Sequence, residues 1–132
     1  MNITIDTSAL IAVIGNEASK ERIIELTTGC SLVAPASVHW EVGNAFSAMF
    51  RRNSAKLETA KQALEVYRRI PIRFIDVSLE QALEIAHGLK IYAYDAYLLQ
   101  CARQTDTALL TLDKGLVTAA GQMRIKTLEV EP

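Results

Sequence analysis

The chain has 132 residues, half of them hydrophobic, and a formal net charge of −1 at pH 7. This length predicts one domain over residues 1–132 with a substantial apolar core. The balanced charge excludes a polycation. Because the chain has neither a basic leader nor an apolar run near the ~18 residues of a membrane span, a cytoplasmic protein without membrane attachment is expected.

The first quarter of the chain predicts two strands separated by helices. Residues 2–5 are predicted as a buried strand, followed by a short helix that begins near Ser8 and ends at Gly15. An amphipathic helix is predicted at 19–28. Its inward residues are expected to be Ile23, Ile24 and Leu26. The segment SLVAP, residues 31–35, is predicted as the second strand.

Two helices and a third strand follow. Ser37 is predicted to cap a helix that continues to about Arg52, because serine is favoured at helix N-termini. The pair Asn53-Ser54 separates this helix from another over residues 56–69. The segment IRFIDV, residues 72–77, is predicted as the third strand.

The remaining pattern again alternates helix and strand. Ser78 and Gln81 fit a capping box for a helix that Gly88 ends. The next elements are a helix around 94–104, a strand at 108–112, a short helix near 115–120 and a strand at 125–129. Strands separated by helical crossovers pair in parallel, so the predicted fold class is α/β, an α/β/α sandwich around a mostly parallel five-stranded sheet.

Four carboxylates lie where an apolar run stops and a helical pattern begins: Asp6, Glu41, Asp95 and Asp113. Asp6, Glu41 and Asp113 each have a structural alternative, as a cap, a solvent-facing acid and a turn residue respectively. Asp95 is less easily explained in this way, because its aromatic and aliphatic neighbours are expected to be largely buried. The carboxyl ends of parallel strands share one sheet edge, where ligands bind. Four acids gathered there repel one another unless a cation is present, so the set predicts a Mg²⁺ or Mn²⁺ site.

Four segments of the chain resemble the PIN-domain family: ITIDTSALIAV, PASVHWEVGNA, YDAYLLQCA and LLTLDKGL. Their order and spacing cover essentially the whole chain, and the resemblance is greatest to the VapC toxins of toxin–antitoxin pairs. It implies a Mg²⁺- or Mn²⁺-dependent endoribonuclease that hydrolyses RNA with metal-activated water. The implied catalytic and metal-binding residues are Asp6, Glu41, Asp95 and Asp113, the last either directly or through water.

The same resemblance implies supporting residues and partners. The supporting residues are Thr7, Ser8, Asn44 and Thr111, although Asn44 is equally well explained as an amide on a helix face. The implied partners are an RNA substrate such as tRNA or rRNA, a cognate antitoxin and a second copy of the chain in a homodimer.

Basic residues are concentrated in one segment. Residues 51–73 carry seven basic and two acidic side chains, a net charge of +5, whereas the rest of the chain carries −6. Arg51, Arg52 and Lys56 are therefore candidates for binding RNA phosphates. The alternatives are an ordinary solvated helix face or a surface for the antitoxin.

Several aromatic residues accompany the acids. Tyr92, Tyr94 and Tyr97 are interpreted as core or dimer interface, with base stacking as the alternative. Trp40 is expected in the core or in the wall of the site.

Two further functions remain open at this point. One is a PIN-fold RNA-binding or interaction module without cleavage. The other is a receiver-like signalling domain, although its acidic pair after the first strand and its lysine after the last are missing from the pattern.

Overall fold

The computed structural model describes residues 1–130. The secondary structure elements in chain order are β1 (Asn2–Ile5), α1 (Thr7–Ile14), α2 (Lys20–Thr27), β2 (Ser31–Pro35), α3 (Ser37–Arg51), α4 (Leu57–Arg68), β3 (Ile72–Ile75), α5 (Leu79–Leu89), α6 (Ala93–Thr105), β4 (Ala108–Leu110), α7 (Lys114–Gln122) and β5 (Thr127–Leu128). The five predicted strands and seven predicted helices are confirmed.

The five strands form one sheet in the order β3-β2-β1-β4-β5, and every neighbouring pair is parallel. β1 lies in the middle, where Thr4 pairs with Val33 of β2 on one side and with Leu109 of β4 on the other. Ile3, Thr4 and Ile5 are buried, as expected of a parallel strand that is covered on both faces. The predicted fold class is therefore confirmed.

The direction of the chain across the sheet changes once, between β3 and β4. From β1 the chain moves outward through β2 to β3, then returns past β1 to β4 and continues to β5. Because parallel crossovers are right-handed, the helices before and after this change cover opposite faces. Accordingly, α1 packs against α2, α3 and α4, whereas α6 packs against α5, β1, β2 and β4.

This strand order also decides against one alternative function. Receiver-like domains have the doubly wound order 2-1-3-4-5. The order observed here is 3-2-1-4-5, with β1 rather than β3 at the centre. The receiver-like interpretation is therefore wrong.

Several local predictions are also wrong. Ile24 is 43% exposed, because α2 buries a narrow face that centres on Ile23. Ser37 does not cap α3 with its side chain; it is the first helical residue, and Ala36 before it is already helical. Gly88 does not end α5, which continues to Leu89 and ends where Lys90 adopts a left-handed conformation with φ 57°.

The predicted capping box of α5 is half formed. The Ser78 side chain accepts a hydrogen bond from the backbone N–H of Gln81. The Gln81 side chain does not return to Ser78, because its Oε1 accepts from Gln100 Nε2 of α6 at 2.6 Å. This second bond links α5 to α6 instead of closing the cap.

Among residues 1–130, no helix combines the length and the apolar content that crossing a bilayer requires.

Candidate active site

The candidate site lies at the carboxyl edge of the sheet, where the strand order reverses. β1 and β4 are neighbours there, although their following helices lie on opposite faces. The loops after such a pair of strands diverge and leave a crevice, which is the usual place for a ligand in an open parallel sheet. Asp6 directly follows β1, and Thr111 and Asp113 follow β4.

Asp6 is held rigidly at this edge. Its side chain is 4% exposed and caps α1, since Oδ1 accepts from the Ala9 backbone N–H at 3.0 Å. Oδ1 also accepts from the Ser8 hydroxyl at 2.7 Å, and Oδ2 accepts from the Thr111 hydroxyl. Burial raises the pKa of Asp6 and the nearby charge of Asp113 adds to this, whereas the three hydrogen bonds lower it.

The two hydroxyls on Asp6 also bind the loop after β4. Ser8 Oγ accepts from the Leu112 backbone N–H, and Thr111 Oγ1 accepts from the Asp113 backbone N–H, both at 3.0 Å. Asp113 is exposed and caps α7, with Oδ1 accepting from the Gly115 and Leu116 N–H groups at 2.8 and 3.2 Å. The structure thus brings Asp6 and Asp113 together through hydroxyls that the sequence had singled out.

Glu41 projects from the second turn of α3. Its Oε2 is buried and has no hydrogen-bond partner in the described structure. Burial raises the pKa of Glu41 to about 7, and the negative charges of Asp6 and Asp95 contribute, while the nearby Ser37 hydroxyl offsets part of the effect. The Glu41 carboxylate has no basic partner, and the Ser37 hydroxyl offsets only part of the cost of its burial.

Asp95 is the third residue of α6, where the positive end of the helix dipole favours an acid. Partial burial raises the pKa of Asp95, and the charge of Asp113 raises it further. The expectation of largely buried neighbours is correct for the aliphatic residues Leu98 and Leu99, but it is wrong for Tyr92 and Tyr94, which are 85% and 58% exposed. Asp95 therefore lies, partly buried, between an apolar interior and exposed aromatic rings.

Each of the four acids is close enough to two of the others for their negative charges to repel. Glu41 interacts with Asp6 and Asp95, and Asp113 interacts with Asp6 and Asp95. Within residues 1–130 the ion pairs join Arg22 to Glu25 and Lys61 to Glu58, so none of the four acids is neutralised by a basic side chain. The edge is anionic and offers oxygen ligands.

The four acids are suited to a divalent cation that keeps part of its water shell, and not to one that is enclosed by protein ligands alone. In the described part of the chain, no three acidic, histidine or cysteine side chains converge closely enough to enclose one ion. Mg²⁺ usually keeps several waters and binds one or two carboxylates directly. The oxygen-only donors and the unpartnered Glu41 Oε2 suit such an ion.

A cavity of about 650 Å³ adjoins Glu41. It is lined by Thr7, Ser37, Trp40, Glu41, Asn44, Ala45 and Tyr94. Three buried side-chain oxygens without a partner belong to its lining: Thr7 Oγ1, Ser37 Oγ and Glu41 Oε2. The predicted supporting residues Thr7 and Asn44 therefore lie beside Glu41, whereas Ser8 and Thr111 lie beside Asp6.

The sequence analysis missed Ser37 as a site residue by assigning it to a helix cap. The four-residue spacing between Ser37 and Glu41 could have identified Ser37 as a site residue. Residues four apart share one face of a helix, so Ser37 had to lie beside Glu41 once α3 included it.

The predicted RNA-binding residues lie away from the acids. Arg51 follows Glu41 by ten residues on the same helix, which separates them by roughly 15 Å along the axis. Arg51, Arg52 and Lys56 are all exposed. The structure therefore does not bring them into the crevice; they lie at the far end of α3 and in the loop that follows.

The model of the PIN domain family matches residues 3–122, so this chain belongs to the PIN domain family. A comparison with curated protein sequences finds no match.

Solved structures share the fold at low identity. PAE2754 from Pyrobaculum aerophilum is 20% identical, with a TM-score of 0.67 over 90% of this chain and 87% of that chain. VapBC2 from Rickettsia felis, bound to a DNA fragment from their promoter, is 18% identical, with a TM-score of 0.69 and 98% of each chain covered. VapC20 from Mycobacterium tuberculosis, a Sarcin-Ricin loop cleaving toxin, is 17% identical, with a TM-score of 0.67 over 98% and 99%.

Proposed function

We propose that this protein is a Mg²⁺- or Mn²⁺-dependent endoribonuclease and the toxin of a toxin–antitoxin pair. The observation that carries the proposal is the set of four acids at the switch point of a PIN fold, without a basic partner among residues 1–130 and with Glu41 Oε2 unsatisfied. The similarity to VapC20 supports the toxin and cleavage parts of the proposal.

In this proposal Asp6, Glu41, Asp95 and Asp113 hold a hydrated metal ion, one or two of them directly and the others, Asp113 among the candidates, through water. A bound divalent ion supplies positive charge and Lewis acidity for phosphodiester hydrolysis. Thr111 and Ser8 fix the orientation of the Asp6 carboxylate, and both also hold the loop that carries Asp113. Asn44 is a candidate hydrogen-bond donor to substrate, since it lines the cavity beside Glu41.

The proposed partners are RNA, a cognate antitoxin and a second copy of the chain. The similarity to VapBC2 supports the antitoxin. The homodimer is supported by Leu79 and Leu83, exposed apolar side chains one turn apart on α5. A monomer in light scattering at high protein concentration would contradict the dimer.

The deciding experiment is cleavage of structured RNAs by purified protein with Mn²⁺ and, in parallel, with chelator. We expect metal-dependent cleavage that Asp6→Asn abolishes, because the change removes an anionic ligand while preserving the shape of the side chain. Asp106→Asn is the matched control, since Asp106 lies beyond the C-terminus of α6 at the other sheet edge and asparagine tolerates its left-handed backbone.

Two results would overturn the assignment. Cleavage by Asp6→Asn at the wild-type rate would show that the acids at this sheet edge are not the catalytic site. RNA binding without cleavage under any metal condition would favour the alternative of a PIN-fold binding or interaction module.

A further inference from the structure

The cavity beside Glu41 combines features that the acidic site does not require. Two of its lining residues, Trp40 and Tyr94, are aromatic and are 77% and 58% exposed. They come from different helices, α3 and α6, which reach the crevice from opposite faces of the sheet. Exposed aromatic rings at the wall of a cavity present flat apolar surface to a ligand.

Each of these two exposed rings is supported from behind by another ring. The Trp40 ring meets His39 edge-on, with centroids 4.8 Å apart, and His39 Nδ1 is hydrogen-bonded to the Tyr67 hydroxyl at 2.9 Å. The Tyr94 ring meets Tyr97 edge-on at 5.9 Å. Each exposed ring therefore has one aromatic neighbour and leaves most of its surface open to a ligand.

The cavity also concentrates unsatisfied polar groups. The three unpartnered buried oxygens, Thr7 Oγ1, Ser37 Oγ and Glu41 Oε2, all belong to residues of its lining. The two hydroxyls can donate or accept and the carboxylate accepts. The three oxygens are themselves inaccessible to solvent, so the exposed Asn44 amide is the polar group of the lining that a ligand can reach directly.

We propose that this cavity binds one unpaired nucleobase of the RNA substrate, with Trp40 and Tyr94 as stacking walls and the exposed Asn44 amide as the hydrogen-bond partner of the base edge. The proposal rests on the proposed function in that RNA is the substrate. A base has the planar face that the rings accept, and its edge carries donors and acceptors that the Asn44 amide can bond. A phosphate is disfavoured by the anionic neighbours, and about 650 Å³ is ample for a base.

The inference defines the substrate more closely. A base that is paired in a helix has its edge and both faces covered, so it cannot enter such a cavity. Sequence-specific recognition of RNA depends on bases that are splayed out of loops, bulges or single strands. The strand that enters this crevice is therefore unpaired next to the position held by Glu41.

Binding can be tested without cleavage, because Trp40 is the single tryptophan of the chain and reports on its own cavity. The probes are the uncharged nucleosides adenosine, guanosine, cytidine and uridine, added in chelator, with ribose as the control. We expect saturable quenching of Trp40 fluorescence by at least one nucleoside, and none by ribose. Titration of free N-acetyltryptophanamide corrects for absorption and collisional quenching.

The chain offers a matched pair of tyrosines for the second measurement. Tyr92 is even more exposed than Tyr94 and precedes α6 by one residue, yet it does not line the cavity. Tyr94→Ala should weaken nucleoside binding by about 5–100-fold, the usual range for loss of one stacked ring, while Tyr92→Ala leaves it unchanged. Both residues are on the surface, so both variants should fold, which circular dichroism checks.

Trp40 needs a readout that does not depend on its own fluorescence. Anisotropy of a short, dye-labelled single-stranded RNA in chelator provides it. Trp40→Ala should weaken this binding, and Trp40→Phe should restore most of it because an aromatic face is retained. Asn44→Ala should change the preference among bases more than the overall affinity.

Failure of this inference and failure of the proposed function give different results. Nucleoside binding without metal-dependent cleavage would support the base-binding cavity and contradict the proposed nuclease activity. Cleavage with no nucleoside quenching, and with equal RNA affinity for the wild type, Trp40→Ala and Tyr94→Ala, would overturn the base site. Equal effects of Tyr92→Ala and Tyr94→Ala would also overturn it. So would saturable quenching by arginine but by no nucleoside, which would assign the cavity to a protein partner.

Discussion

Thr111 donates its hydroxyl to the Asp6 carboxylate across a separation of 105 residues. The same hydroxyl oxygen accepts from the Asp113 backbone N–H. One side chain therefore fixes the relative position of two proposed metal ligands on different strands. Groups that orient ligands in this way contribute to a metal site without touching the ion.

Thr111→Val should therefore impair both activity and stability. Valine keeps the shape of the side chain, but it removes a donor from buried Asp6 and an acceptor from the Asp113 N–H. We expect cleavage to fall by about 10–100-fold and the free energy of unfolding to fall by about 1–3 kcal/mol. Cleavage rates and urea denaturation measure the two effects.

The control for this variant is Thr118→Val. Thr118 lies on the exposed side of α7 and its hydroxyl bonds to the Lys114 carbonyl within the helix. Thr111→Ser should recover most of the lost activity, since it restores the hydroxyl. Equal loss from Thr111→Val and Thr118→Val would remove the special role of Thr111.

The raised pKa of Glu41 predicts how stability depends on pH in the absence of metal. The folded protein holds the Glu41 proton up to about pH 7, whereas the group ordinarily loses it near 4.5. Between these values the folded state binds more protons, so the contribution of Glu41 to stability falls as pH rises through this window. Glu41→Gln removes the titration, so it should melt progressively higher than the wild type between pH 5 and pH 8.

Thermal melts of both proteins in chelator across this pH range test the prediction. Glu65→Gln, on the exposed surface of α4, makes the same change in charge away from the site. The difference between its melting temperature and that of the wild type should stay the same at every pH. A constant difference between Glu41→Gln and the wild type at every pH would contradict the assigned direction.

Asp95→Asn should raise the melting temperature of the metal-free protein. Burial and the charge of Asp113 both disfavour the ionised Asp95, so neutralising it relieves repulsion. A gain of about 1 kcal/mol corresponds to an increase of about 2–5 °C for a chain of this size. The variant should also gain less from added Mn²⁺, because a ligand of the ion is lost.

Asp76→Asn is the comparison for this effect. Asp76 is exposed just after β3, at the same sheet edge, but outside the set of four acids. If metal-free Asp95→Asn melts lower than the wild type and responds fully to Mn²⁺, Asp95 is a structural partner and not a metal ligand.

Replacing Arg51, Arg52 and Lys56 with glutamine should weaken RNA binding and make it less dependent on salt. Each lost phosphate contact should reduce the slope of log K against log salt by about 0.7 for single-stranded RNA. Filter binding from low to high salt measures this slope. An equal loss of charge at Lys20, Arg22 and Lys126 is the control, and an unchanged slope in the first variant would place the RNA elsewhere.

The sequence was sufficient for the parts of the site that depend on local pattern. Asp6 and Asp113 each follow a short apolar strand, and a parallel sheet necessarily brings such positions to one edge. The structural alternative for Asp6, an N-cap, is also correct, and Asp113 likewise caps the helix that follows, where a turn residue was the alternative. Capping and ligand binding use the same carboxylate, so the two interpretations do not exclude each other.

The remaining parts depend on tertiary contacts that one-dimensional patterns do not contain. The burial of the Ser37 hydroxyl beside Glu41 required knowing that α3 begins one residue earlier than a serine cap implies. The exposure of Tyr92 and Tyr94 required knowing that α6 begins in the open crevice. Aromatic residues are usually buried, so the composition predicted the opposite.

The central position of β1 determines how late in its synthesis the chain can assemble the four acids. A nascent chain that ends after β3 contains Asp6 and Glu41 but lacks Asp95 and Asp113, and one edge of β1 still awaits β4. Pairing of β1 with β4 closes a loop of about a hundred residues, which is a slow type of contact to form. In the proposed function, the ribosome that translates this chain must therefore synthesise it at least through Asp113 before a functional nuclease exists beside it.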